Sequence, residues 1–307
     1  RGAAIPPRMS APRAIGIDVG GTKVAGGIVD LATGAVRHRR EAPTDPERGG
    51  EAVLADVADM ARALLAAAGR PLALGLGVAE LVDPGGQVFS GHRIAWAGLP
   101  VQERLGSILP TRVEADVRAA ALAEARLGAG RGLRHVLYVT VGTGVSAALV
   151  QDGRPYPGSR GAALVIANGT MRHGCPRCGH AWSEVLEDVA GGQGIARGMG
   201  LARAEEVLAA AAAGDARAAG ALAHAARELG QTLALLAGAL DPEAVIVGGG
   251  LGSGPGPFFD LVADALAASL WDGDARALPV LRAGLGPDAG LVGAALVAPQ
   301  DAGALAE

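Results

Sequence analysis

The sequence predicts an α/β protein of two related domains around a shared cleft, and three observations predict it. Apolar runs of strand length alternate with longer stretches of helical spacing, the pattern of sheets covered by helices. Two strand pairs of like form, over residues 15–29 and 136–150, each wrap a glycine turn. No linker rich in Pro or Ser separates the halves, so the domains belong to one unit. With 307 residues and 50% hydrophobic content the chain can bury both cores, yet only 3% of it is aromatic. Packing must therefore rely on Ala, Val and Leu and on elements that approach closely.

Each element follows from its residues. "RAIGIDVGGTKVAGGIVD" reads as strands over 14–19 and 24–29, joined by a Gly-Gly-Thr-Lys turn. A third strand is expected at 35–41, and 51–68 carries Ala, Val, Leu and Met at helical spacing. "PLALGLGVAELV", 71–82, is apolar until Glu80 and predicts a buried strand. "GLPVQERLGSIL" predicts a short helix, "TRVEADV" a strand, and "RAAALAEARLGAG" a helix closed by glycine. "HVLYVTVGTGVSAALVQDG" then repeats the opening hairpin. Helices are expected over about 191–239, a strand at 244–250, and a closing helix in "PDAGLVGAALVA". The boundary falls near Asp116. One domain comprises 14–115 with the C-terminal helix 288–299, the other 116–287. Residues 1–13 are a tail, in which Met9 reads as the natural start and 1–8 as an expression remnant.

Net charge is −4 and no dense Lys/Arg block occurs, which argues against nucleic acid and for a small-molecule partner. No apolar run approaches the ~20 residues that span a bilayer. The start "RGAAIPPRMSAPR" lacks the apolar core of a signal peptide. The expected setting is the cytoplasm, with no membrane partner.

The glycine turns carry the chemistry. Asp18 ends the first strand just before Gly20, Gly21, Thr22 and Lys23. Such a turn aims backbone N–H groups at a ligand with little obstruction, which suits phosphate oxygens. Asp18 is placed to hold a hydrated Mg²⁺, with Thr22 and Lys23 donating to phosphate. Taken alone, an ordinary hairpin with glycines for twist explains the stretch as well. "VGTGVS" makes a second turn of this kind from Gly142, Thr143 and Gly144, and "DPEAVIVGGGLG" a third from Gly248, Gly249 and Gly250.

"IGIDVGGTK", "VGTGV", "LDPEAVIVGGG" and "AGLVGAALV" in this order resemble the ROK family of bacterial sugar kinases, within the actin, hexokinase and Hsp70 superfamily. The resemblance covers 14–298. It implies two ribonuclease H-like (actin-like ATPase) domains around a cleft, ATP and Mg²⁺ as cofactors, and a homodimer. It also implies an enzyme: a phosphotransferase with an alcohol group as acceptor. The stretch before the first strand is too short for the winged DNA-binding domain of ROK repressors. An alcohol is a poor nucleophile at neutral pH without a base. Family sugar kinases present E-N-D-A-N-A-A-A-L-G-E, where the Asp is that base, and "EADVRAAALAE" places Asp116 on it. Capping the following helix is the plain alternative for Asp116.

The substrate side departs from the family pattern. The Asn before the base is Ala115, and the Asn two residues after it is Arg118. Glu80 in "AELVD" replaces a small glycine, and "SGHRI" puts His92 and Arg93 near a family Asn. In "GSRGAALVIAN", Arg160 replaces an Asn, Val165 the sugar-binding Glu, and Asn168 a His. The usual grip on glucose is thereby reduced. A guanidinium fork suits phosphate or carboxylate, so Arg93, Arg118 and Arg160 suggest an anionic acceptor. A sugar or C7-cyclitol already carrying phosphate would qualify. Alternatives are a glucokinase, an N-acyl amino sugar kinase, and a catalytically inactive sugar-binding regulator. Ordinary surface arginines in an Arg-rich chain are the plain explanation. A buried, unpaired Glu80 would be costly, so it needs a partner, such as one of these arginines or a substrate hydroxyl or amine.

Both cysteines lie in "RHGCPRCGHAWSEVLEDVAGG", 172–192. Family members often carry zinc here on one His and three Cys, with a following Glu contacting the sugar. His173, Cys175, Cys178 and His180 offer a four-ligand set for Zn²⁺, but the spacing is tight and the metal stays open. Glu187 keeps the family spacing to "AGG" and takes the Glu position, with Glu184 as the other count.

Overall fold

Residues 12–70, 72–271, 273 and 277–299 are described by a computed structural model; Met9 and the rest of 1–11 lie outside them. The chain divides into two compact units, one reaching Asp116 and resuming at Leu291, the other Val117–Gly290.

In unit 1, the apolar run at the start makes β1 (Arg13–Val19), with Ile15, Ile17 and Val19 fully buried. β2 (Lys23–Asp30) and β3 (Val36–Pro43) follow antiparallel, and β4 (Leu74–Val78) and β5 (Thr111–Ala115) run parallel to β1. The sheet order is β3-β2-β1-β4-β5. α1 (Gly50–Ala68) buries Val53, Leu54, Val57, Ala61 and Leu64, one stripe of a 3.6-residue period, and ends at Gly69 in the left-handed conformation. Each such Leu or Val taken from water contributes roughly 1.5–3 kcal/mol. α2 (Val101–Gly106) precedes β5.

In unit 2, α3 (Asp116–Leu127) leads to β6 (His135–Val141), β7 (Val145–Gln151) and the short β8 (Arg154–Pro155). A separate hairpin of β9 (Thr170–Gly174) and β10 (Ala181–Val185) comes before four helices. These are α4 (Leu186–Ala190), α5 (Gly192–Met199), α6 (Ala204–Ala212) and α7 (Ala216–Leu240). Asp215 caps α7 by accepting from the N–H groups of Arg217 and Ala218. β11 (Ala244–Gly248), α8 (Phe258–Ser269) and β12 (Val280–Arg282) complete the unit. The order β12-β11-β6-β7-β8 reproduces unit 1 strand for strand, with β6 in the place of β1 and the same polarities. α9 (Ala289–Val297) then returns the chain to unit 1.

α9 explains several strand glycines. A Cβ on Gly16 would overlap the carbonyl oxygen of Leu291, and one on Gly75 that of Ala294. The two glycines are register partners on β1 and β4, so the helix backbone rests on the sheet.

The structure corrects some expected boundaries. Of the strand expected over 71–82, β4 takes only Leu74–Val78, and Val82 forms a separate antiparallel bridge with Val88, because the chain between them turns into the loop that surrounds Glu80. The strand expected through 117 ends at Ala115, and Asp116 is already helical.

Candidate functional site

At the C-terminal ends of the parallel strands of unit 1, Asp18 pairs in register with Gly77, and Val78 with Ala115, immediately before Asp116. Gly77 is the gap between two carboxylate positions. A Cβ there would lie 3.3 Å from Asp18 Oδ1 and 3.8 Å from the Asp116 Cα. Asp18 is half-buried, and the surrounding protein pushes its carboxyl up to about 6, opposed by the Lys23 charge. The turn beside it is pinned from within and from outside. The Gly20 N–H donates to the Lys23 carbonyl (2.9 Å), the Thr44 hydroxyl to the Gly20 carbonyl (2.8 Å), and the Thr44 N–H to the Thr22 carbonyl (3.0 Å). Thr22 and Lys23 are exposed, and Lys23 pairs with Glu41 at 3.3 Å, an exposed contact that holds it weakly.

Glu80 organises its own loop. It is 5% exposed and accepts from the Ser90 hydroxyl and the N–H groups of His92 (2.9 Å), Arg93 (2.5 Å) and Ile94 (2.7 Å). Burial pushes its carboxyl up, and these hydrogen bonds more than reverse that, leaving it below the usual glutamate value. The expected partner, an arginine or a ligand, is replaced by the backbone of its own loop. That loop places the exposed Arg93 over the turn, its Cβ and Cδ 3.8–3.9 Å from where a Gly21 Cβ would sit.

In unit 2, the Gly142 N–H closes the second turn on the Gly144 carbonyl (3.0 Å). The start of α5 holds it, with Gly192 donating to the Gly142 carbonyl (2.8 Å) and Gln193 to that of Thr143 (3.0 Å). The Glu187 carboxylate fills the space of the absent Gly144 side chain and accepts from the Val145 N–H at 3.1 Å. After β11, Gly249 is left-handed (φ 84°), and a Cβ there would collide with the Val141 carbonyl. Leu251 and Gly252 both donate to that carbonyl at 3.0 Å. A cavity of about 460 Å³ opens beside these turns, lined by Thr143, Gln193, Arg203, Glu205, Leu208 and Gly250. No sequence motif marked Gln193, Arg203, Glu205 or Leu208, which lie in or beside ordinary helical stretches.

Arg118 is not a surface arginine. It is 4% exposed, and its guanidinium donates to the Gly161 carbonyl at 2.8 Å, so it ties down the following loop instead of facing solvent. Arg160, Val165 and Asn168 are exposed on that loop.

The zinc set does not assemble. His173 and His180 stack on Trp182, with centroids 5.1 and 5.9 Å away. His173 Nε2 lies 3.1 Å from Glu184, and His224 Nε2 lies 3.4 Å from the same carboxylate. Cys175 and Cys178 sit in the β9–β10 turn, where hydrogen bonds from the Cys178 and Arg177 backbone and the Cys178 side chain hold the Cys175 thiol below its usual value. Among the described residues, no group of three or more His, Cys, Asp or Glu is arranged to hold a metal ion. Among them also, no helix is long and apolar enough to cross a membrane.

The ROK family model matches residues 14–301. The glucokinase of Streptomyces coelicolor is 33% identical over 92% of this chain and 96% of its own. The N-acetylmannosamine kinase of Escherichia coli O127:H6 is 31% identical over 92% and 97%. The ROK glucokinase of Streptomyces griseus, solved with glucose and AMPPNP, superposes with a TM-score of 0.76 at 30% identity, over 93% of this chain and 99% of that one. Such likenesses carry with them the actin-like ATPase fold of two domains. The chain therefore belongs to the ROK family, as one of its kinases.

Proposed function

We propose that the protein transfers the terminal phosphoryl group of ATP to a hydroxyl of a sugar or sugar-like cyclitol. The observation that carries this is the pair Asp18 and Asp116 on either side of Gly77. Asp116 accepts the proton of the attacking hydroxyl, which raises its nucleophilicity as the bond to phosphorus forms. Asp18 would hold a hydrated Mg²⁺, which neutralises charge on the phosphates. Thr22 and Lys23 donate to phosphate oxygens. The nucleotide occupies the 460 Å³ cavity, with its phosphates toward Thr143 and its base toward Leu208. The relatives named glucokinase and N-acetylmannosamine kinase support a carbohydrate-like acceptor.

For the acceptor, Arg93 favours a negatively charged group, because it is exposed at the phosphate turn and makes no side-chain ion pair among the described residues. Sugar phosphates and phosphorylated C7-cyclitols belong to that class. The test measures ADP release with glucose, N-acetylmannosamine, sugar phosphates and cyclitol phosphates, for wild type and Asp116→Asn. One acceptor is expected to turn over, with kcat falling about 10²–10⁴-fold in the variant while ATP still binds. Turnover unaffected by Asp116→Asn would overturn the mechanism.

A further inference from the structure

Unit 1 carries a second polar site, remote in the fold from the strand ends that bear Asp18 and Asp116. It lies where β1 begins. Arg13 on β1, Arg37 and His38 on β3, and Arg70 just beyond α1 surround a cavity of about 60 Å³ together with Ile28 and Leu72. No carboxylate lines it. The register partner of Arg13 is Asp30, whose carboxylate feels the Arg13 charge but takes its hydrogen bonds from the N–H groups of Ala32 (3.0 Å) and Thr33 (3.1 Å). The Arg13 Nε is buried with no hydrogen-bond partner among the described residues. Burying a guanidinium donor without an acceptor is unfavourable, so the arrangement calls for an anion.

The backbone is shaped to the same end. Gly26 pairs with Arg40 and Ile28 with Arg37, so His38 and Arg39 together oppose Gly27 in a β-bulge. His38 takes the left-handed conformation at φ 51°, unfavourable for a residue with a Cβ. Bulges re-aim side chains, and this one brings both Arg37 and His38 to the cavity wall. One water needs roughly 10–15 Å³ of such space, so the cavity takes a few waters or a small tetrahedral oxyanion more readily than a larger organic molecule.

We propose that this cavity binds a phosphate group, either inorganic phosphate or the phosphate of a small monoester. Guanidinium groups match that chemistry through paired N–H donors. The site draws on no residue assigned to phosphoryl transfer, and it stands independently of the acceptor's identity.

Calorimetric titration of the full chain with inorganic phosphate and, separately, with glucose 6-phosphate tests it. The same titrations are run on Arg13→Lys, Arg37→Ala and Thr143→Ala. Arg13→Lys keeps the charge and strand but removes the Nε donor, and Arg37→Ala changes an exposed position. Both are expected to weaken phosphate binding at least tenfold, while Thr143→Ala leaves this site intact. Binding of phosphate alone assigns the free ion; binding of both assigns the phosphate of an ester. Unchanged binding in both arginine variants, or none by wild type at about 10 mM of either ligand, would overturn the proposal. Kinase turnover measured in parallel separates its failure from a failure of the assigned reaction.

Discussion

The row on which a helix docks is Gly27, Gly16 and Gly75 in unit 1, and Ala148, Tyr138 and Ile246 in the matching strands of unit 2. Unit 1 lets the α9 backbone rest on the sheet. Unit 2 fills the same layer with side chains and supplies the small residues from the helix, where Ala120, Ala121 and Ala125 of α3 pack on the row. One topology thus tolerates two solutions, because each keeps the interior filled. At the strand ends a second row differs: Asp18 beside Gly77 in unit 1, Thr140 beside Gly248 in unit 2. The first end carries carboxylates suited to a proton or a cation. In the second the paired strand-end positions carry no carboxylate, that of Glu187 being held against Gly144 by the Val145 N–H, and the turns are rich in backbone amides, as an anionic phosphate chain requires.

The docking rows give the largest expected effects. Gly75→Val would drive a side chain into the Ala294 carbonyl, a backbone group that cannot move aside cheaply. Ile246→Ala would instead empty a fully buried site. Both are expected to lower stability, by about 3 kcal/mol for the overpacked row and about 2–5 kcal/mol for the emptied one. Urea unfolding checks this, and a Gly75→Val protein as stable as wild type would mean that α9 does not rest on that row.

Asp18 sharpens the second contrast through pH. Its folded-state value of about 6 lies above the ordinary 3.8, so between these the folded protein binds more protons than the unfolded chain. Stability therefore declines as pH rises from about 4 to about 6, by up to about 3 kcal/mol, and stays lower above. Asp18→Asn should remove this decline and raise the melting temperature at pH 8, while sharply reducing kinase turnover. A wild-type protein with no such decline would show that burial does not strain the carboxylate.

The sequence made some of this legible and hid the rest for physical reasons. β1, β2, β6, β7 and β11 stand out because buried strands need unbroken apolar runs, and the glycines between them mark turns. β9 and β10 do not, since "TMRHG" and "AWSEV" are largely exposed, and β12 is three residues long. Asp116 could be placed by its motif. The partners of Glu80 and Arg118 could not, because backbone N–H and carbonyl groups occur at nearly every position and leave no compositional trace. The same holds for Gly16 and Gly75, whose reason is a helix over two hundred residues away in the chain.

Thr140→Asp makes the smallest change and the most direct test of the second row, because it gives unit 2 the residue that unit 1 has. Thr and Asp are similar in size, and Thr140 is only partly buried, so the sheet should keep its stability within about 1 kcal/mol. What changes is charge. A carboxylate beside Gly248 and the Gly142–Gly144 turn would repel the phosphates assigned to that end, and ATP affinity should fall about ten- to a hundredfold, roughly 1.4–2.7 kcal/mol. Adenosine, which carries no phosphate, should bind the variant and wild type alike. Loss of both ligands would indicate a disturbed fold, and retention of ATP affinity would place the phosphates elsewhere, removing the functional meaning from the Asp18–Thr140 difference.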